Sequence, residues 1–437
     1  MRLGRGRRKL QLVAGAAALL VVAVTYAQPV AAASGEERAR HNDITINGDS
    51  NFTATNGVRS GSGTHHDPYV ISGWNVRNLT IRDTDAYVVI EDNTVTGRLT
   101  LNWNGDRVTL VDNEVADLRV NQNVKRTGAA TSGLIAGNTF GVVGQLRHFD
   151  GVFENNIVKG RDSIFDGVFS NRAVNFDGFH GSRFRNNTIN GYVEVRLHGH
   201  HHGSSFDAGS HYHGAGHGDH GKEVDHSKRY HEVFITNNRI YADASPALVY
   251  TDTAHSANDR TAASETNPAL NGDHIHYTRV HLTGNKLYGG GLMVDVFNAD
   301  DRNHVGTNTG FIDIRNNRIE LDGERRDHLW DRNDGIWLYR VRDARVSLSG
   351  NTVIGQPPQE RDLLEQRFAK DAGIFLSNID MADVTIHDNE VTDLLYGVKA
   401  SVMSESVTWS ITKLRTNGVP HRVHYDSSVK NPPRNQP

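Results

Sequence analysis

One eight-residue pattern returns along most of the chain: apolar-x-apolar-x-(Asp/Gly/Asn)-Asn-x-apolar. It reads VTLVDNEV at Val108–Val115, VFITNNRI at Val233–Ile240 and VHLTGNKL at Val280–Leu287. It reads IDIRNNRI at Ile312–Ile319, VSLSGNTV at Val346–Val353 and VTIHDNEV at Val384–Val391. Looser copies surround Asn93, Asn138, Asn156 and Asn187, which makes ten in one chain. Alternating apolar residues describe a strand with one buried face. The Asp/Gly/Asn-Asn step breaks that strand, and Asn tolerates the left-handed backbone a sharp bend needs. A second motif, Gly-apolar-x-apolar, recurs as GLMV at 291–294, GIWL at 335–338, GIFL at 373–376 and GVKA at 397–400. Gly335 precedes Asn351 by 16 residues, and Gly373 precedes Asn389 by the same 16. Each unit therefore holds three short strands separated by turns.

The tightest Asn-to-Asn spacings run from 18 to 25 residues, room for three strands and their turns. Such a unit cannot bury its own apolar face, so copies must stack. Stacking places equivalent residues about 4.8 Å apart, forming three parallel sheets with a ladder of Asn side chains in one turn. The predicted fold is all-β: a parallel β-helix of about ten to twelve coils with lateral loop insertions. Blades of a propeller would need about 40–45 residues, and a leucine-rich repeat needs an L-x-x-L-x-L signature that is absent. Composition agrees. Only 37% of residues are hydrophobic, Gly numbers 43, Pro 10 and Cys none. A rod with few inward side chains per coil asks for no more, and zero Cys excludes disulfides and thiolate metal sites.

Residues 1–9 (MRLGRGRRK) carry five cations, an apolar run spans Leu12 to Val24, and small residues follow at Val30–Ala33. That is the layout of a signal peptide over 1–33, and the run is too short for a spanning helix of about 20 residues. The expected mature protein is secreted and has no membrane span. Removing those five cations takes the formal charge from −4 to −9, which disfavours nucleic acid as a partner.

The stacked repeats resemble right-handed parallel β-helix proteins of the pectin-lyase-like superfamily. The N-terminal stretch Ile44-x-Ile46-x-Gly48…Phe52, continuing as NGVRSGSGTHHDPYVISGW at 56–74, is similar to the opening segment of NosD-like proteins. The resemblance covers about 41–415. It implies the right-handed fold and leaves function open, since the fold hosts lyases, hydrolases, adhesins and accessory proteins. The polygalacturonase-like order of Asn-x-Asp, Asp-Asp, Gly-His-Gly and Arg-Ile-Lys is missing, as are the pectate-lyase-like W-x-D-H and R-x-P-x-x-R.

Domain limits follow: a β-helix over 34–415, then a cap strand and a disordered tail over 416–437. Long spacings mark insertions at 196–231, 251–277 and 298–309 in one slot, and at 322–334 and 356–371 in another. The same slot in successive coils lies on one side of the rod, so function should gather there. Stretch 156–187 reads as one coil with an insertion or as two short coils through Asn171. The repeated FDGVF, FDGVF and FDGF at Phe149, Phe165 and Phe176 favour two.

Ten of the 24 His fall in 198–231: His198, His200, His201, His202, His211, His213, His217, His220, His226 and His231. Neutral imidazole binds Zn(II) and Cu(II) well, and Asp207, Asp219 or Asp225 would assist. The spacing suits a multi-His scavenger rather than one fixed tetrahedral site. A solvated low-complexity insert and a pH-responsive loop fit the same residues. No organic cofactor is expected.

The richest polar cluster is HLWDRNDGIW. Asp331, Asp334 and His328 are the catalytic candidates, since two carboxylates are what glycoside hydrolysis asks for. Trp330, Trp337, Arg332 and Asn333 are the substrate-binding candidates. The competing reading is a salt-bridged turn with a capping Asp. The functional expectation is a secreted protein that binds extracellular polysaccharide through its loop-built lateral face, with cleavage as the open extension, and carries a metal-binding loop. A NosD-like copper or zinc accessory protein and a non-catalytic surface rod are the alternatives.

Overall fold

A computed structural model of the chain describes residues 38–103, 107–122, 133–149, 151–160, 172–178, 182–197, 230–242, 246–252, 277–297, 310–322, 334–342, 344–356 and 371–430. These form a parallel β-helix. The strands that precede the repeat Asn make a 13-stranded sheet, from Val58–Ser60 and Tyr69–Ser72 to Asp383–His387 and Thr408–Thr412. All its pairings are parallel except the first, where Val58–Ser60 runs antiparallel to Tyr69–Ser72. The other two strands of every coil belong to a 23-stranded sheet. Among the described residues no helix is long and apolar enough to cross a membrane.

Register explains why so thin a core suffices. In the first strands, Ile71, Ile90, Leu110, Ile135, Phe153, Phe184, Ile235, Leu282, Ile314, Leu348 and Ile386 stack into one inward row. All are buried. Burying one such side chain contributes about 1.5–3 kcal/mol, and each new coil extends the row by one. The three expected strands per coil are distinct in the opening coils, as at Trp74–Val76 and Leu79–Arg82, and again from Ile157–Val158 onward. Between them, the second and third strands run together as Thr94–Trp103, Glu114–Gln122 and Thr139–Phe149, with register shifts where a turn was expected.

The Asp/Gly/Asn-Asn step divides two tasks between its residues. The left-handed residue is the one before the repeat Asn: Asp92, Asp112, Gly137, Asn155, Asn186, Asn237, Gly284, Asn316, Gly350 and Asp388 all have positive φ. The repeat Asn itself is buried in all ten coils and builds the ladder. Asn285 donates from its side-chain amide to Asn317 Oδ1 at 3.0 Å and to the Ile235 carbonyl at 2.8 Å. Its backbone N–H donates to the same Oδ1 at 2.9 Å. The pattern repeats from Asn93 to Asn389.

Two expectations change. Stretch 156–187 is a single coil, because Asn156 donates directly to Asn187 Oδ1 and Ile157–Val158 pairs with Thr188–Asn190. Phe149 and Phe176 are buried and pack with Phe140, Phe153 and Phe184 in one aromatic stretch of the core, while Phe165 lies outside the described residues. The stack also continues past 415. Arg415–Asn417 and His421–Tyr425 pair in parallel with Glu390–Thr392 and Tyr396–Met403.

Candidate functional site

The third strand of each coil carries the outward chemistry. Leu292, Ile336, Ile374 and Val398 share one inward register, so the next residue in each strand faces away from the interior. That outward row is Glu194, Val249, Met293, Trp337, Phe375, Lys399 and His424. A second outward row runs Thr251, Asp295, Tyr339, Ser377 and Ser401.

Val249, Met293, Trp337, Ala372 and Phe375 form an apolar cluster separate from the main core, with Tyr192, Tyr339 and Tyr396 packed against it. The Trp337 ring stacks on Phe375 at 6.3 Å and tilts against Tyr339 at 5.0 Å. Lys399 Nζ lies 5.7 Å over Phe375 and 5.0 Å over Tyr396, and the Arg340 guanidinium lies 4.9 Å over Tyr339. Trp337 is only 6% exposed, so it forms the floor, and half-buried Tyr339 and Tyr396 are the rings within reach of a ligand.

Beside this cluster stands a buried carboxylate, Asp295, paired with Arg340 of the next coil. Burial pushes its pKa up; the Arg340 hydrogen bond and charge oppose that rise without cancelling it. Arg340 adopts a left-handed backbone at φ 53°, as do Asn378 and Val402 at the same corner of the following coils. A bulky residue there is strained, and the conformation brings the guanidinium back toward Asp295.

Of the residues singled out in the sequence, Asp334 and Trp337 lie within the described part. Asp334 is buried, and its Oδ1 accepts the Ala372 N–H at 2.9 Å. It holds the entrance to the next coil's third strand, Ala372–Ile379. His328, Trp330, Asp331, Arg332 and Asn333 lie outside the described residues. So do the metal candidates His198, His200, His201, His202, His211, His213, His217 and His220. Among the described residues no group of three His, Cys, Asp or Glu is placed to hold a metal ion.

The fold rests on topology alone. Comparisons with family models, characterised proteins and solved structures found no match. Sequence reasoning missed Asp295, Arg340, Tyr339 and Tyr396. The available signal was the position that follows each four-residue Gly-apolar motif, which alternation turns outward and which reads Asp295, Tyr339, Ser377 and Ser401.

Proposed function

We propose that this chain is an exported protein whose outer third-strand face binds extracellular polysaccharide. The reading is carried by one observation: an aromatic cluster outside the interior, spread over consecutive coils and set against the Asp295–Arg340 pair. Aromatic faces suit the apolar faces of sugar rings, and a charge pair whose guanidinium is exposed suits their hydroxyls. Chemistry that recurs on successive coils suits a linear polymer. The same proposal places the rod among pectin-lyase-like β-helices, gives its opening segment a NosD-like character and makes residues 1–33 the export signal.

A glycan array probed with residues 34–437 tests this. Retention of one polymer class, lost in Tyr339→Ala and Tyr396→Ala with thermal stability kept, is the expected result. An array that stays blank, or binding indifferent to both substitutions, removes the reading.

The His-rich insertion supports a second activity, binding of Zn(II) or Cu(II), motivated by ten His within 198–231. In sequence it lies between the strands Tyr192–Leu197 and Tyr230–Thr236. The NosD-like reading would route the protein to copper or zinc handling, and a structural rod would need neither activity.

A further inference from the structure

The third strands of the later coils end in an exposed rim. Leu338, Leu376 and Ala400 face the interior, and Tyr339, Ser377 and Ser401 follow them outward. The next residues, Arg340, Asn378 and Val402, take a left-handed backbone at φ 53°, 56° and 53° and are exposed. Val341, Ile379 and Met403 then return to the interior. Each of these coils thus carries one extra residue, a bulge. It begins at Arg340, since Asp295 pairs with Tyr339 but Phe297 with Arg342. Val402 is 52% exposed, so packing does not account for a β-branched residue in that conformation. The rim borders the aromatic floor with a guanidinium, an amide and an isopropyl group.

The charges of this face come in closed pairs. Both Asp295 oxygens accept from Arg340, whose Nε stands 3.1 Å from Oδ1. Asp380 Oδ2 lies 3.5 Å from Arg342 Nε, and its Oδ1 accepts from Ser404 and Ser406 at 2.6 and 3.0 Å. Lys399 is the only other charged residue in the strands Leu292–Phe297, Ile336–Arg342, Ala372–Ile379 and Tyr396–Met403. Its ammonium lies over Phe375 and Tyr396. A polymer charged on every unit needs open counter-charges repeated along its path, and these four strands hold no such row. Drawing Arg340 to a ligand anion would also strand Asp295, which is 4% exposed, as an unpaired buried carboxylate.

We infer, on the polysaccharide reading, that the polymer this face takes is uncharged. Its ring faces meet Tyr339 and Tyr396, and its hydroxyls meet Ser377, Asn378, Ser401 and the exposed edge of the Arg340 guanidinium.

Biolayer interferometry of the purified chain on two sets of immobilised polymers tests this. One set is neutral (glucan, xylan and mannan), and the other is acidic (polygalacturonate, alginate and heparin). At least one neutral polymer should bind, and the acidic set should stay silent. That binding should weaken about tenfold in Tyr339→Ala and in Tyr396→Ala, the scale of one aromatic contact. It should change less than about twofold between about 50 and about 500 mM NaCl, because the ligand carries no charge to screen. Acidic polymers bound as tightly as neutral ones or in their place, with loss in both tyrosine variants, would overturn the inference and leave the polysaccharide reading standing. Neutral binding that falls steeply with salt, or that ignores both tyrosine substitutions, would also overturn it. Silence on both sets would remove the reading and the inference together.

Discussion

Asp295 and Arg340 stand 45 residues apart in sequence and meet as neighbours on successive coils, with Arg340 Nε donating to Asp295 Oδ1 at 3.1 Å. Two opposed effects set the carboxyl's behaviour. Burial raises its pKa above the ordinary 3.8, and the guanidinium pulls it back. Removing the guanidinium charge should therefore move the midpoint further up. Carbon-detected NMR of the Asp295 carboxyl should place its titration above 3.8 in the native chain and higher again in Arg340→Gln. A native midpoint at or below 3.8, or a downward move in the variant, would show that burial is not the dominant influence.

Asn316 and Asn317 are adjacent and identical in kind, yet they should respond differently to substitution. Asn317 Oδ1 receives the side-chain amide and backbone N–H of Asn285, while its own amide reaches the Leu282 carbonyl and Asn351. Asn317→Ala strands several buried groups at about 1–3 kcal/mol each, so a loss of about 3 kcal/mol or more is expected in urea unfolding. Asn316 supplies a left-handed backbone at φ 53°. Asn316→Ala should cost about 1–2 kcal/mol, and Asn316→Gly much less. Equal losses at the two positions would remove the division of labour described for the repeat.

That repeat is why the fold was legible. A ladder needs the same residue in every coil, so Asn93 to Asn389 advertise themselves by identity and spacing. The outward face carries no such constraint: position by position it holds Glu194, Val249, Met293, Trp337, Phe375 and Lys399. The Gly-apolar motif aligns Met293, Trp337, Phe375 and Lys399 in sequence, but nothing in the residue types themselves says that this position turns outward and forms a surface. Asp334 shows the same divide: its place before a Gly-apolar strand is plain in sequence, but the Ala372 N–H it accepts comes from the next coil, 38 residues on.

At the C-terminal end, His424 lies against Tyr396 at 4.9 Å, in register with Lys399 and near His421. Burial first, then the positive charges of Lys399 and His421, hold its pKa below 6.5. The folded chain thus disfavours the protonated ring. Stability from this group is fully present above 6.5 and is lost as pH falls below it. His424→Gln should lower Tm less than the native chain does on acidification from about pH 8 to about pH 5.5, the range in which imidazole titrates. An identical acid response in both proteins would mean that the ring is not held neutral.

The His-rich insertion can be removed without asking the rod to refold. One residue is enough to pass from a third strand to the next first strand, as between Thr139–Phe149 and Gly151–Glu154. Deleting 198–226 leaves three residues between Leu197 and Tyr230, so the strands on either side can keep their pairings. If the imidazoles bind metal, zinc calorimetry of the undeleted chain should give more than one ion per chain near neutral pH. That binding should weaken below about pH 6, because the ligand is the neutral ring. The deleted chain should lose the extra sites and keep its Tm in the absence of metal. Unchanged zinc stoichiometry after deletion would place metal binding elsewhere and leave the insertion as a solvated loop.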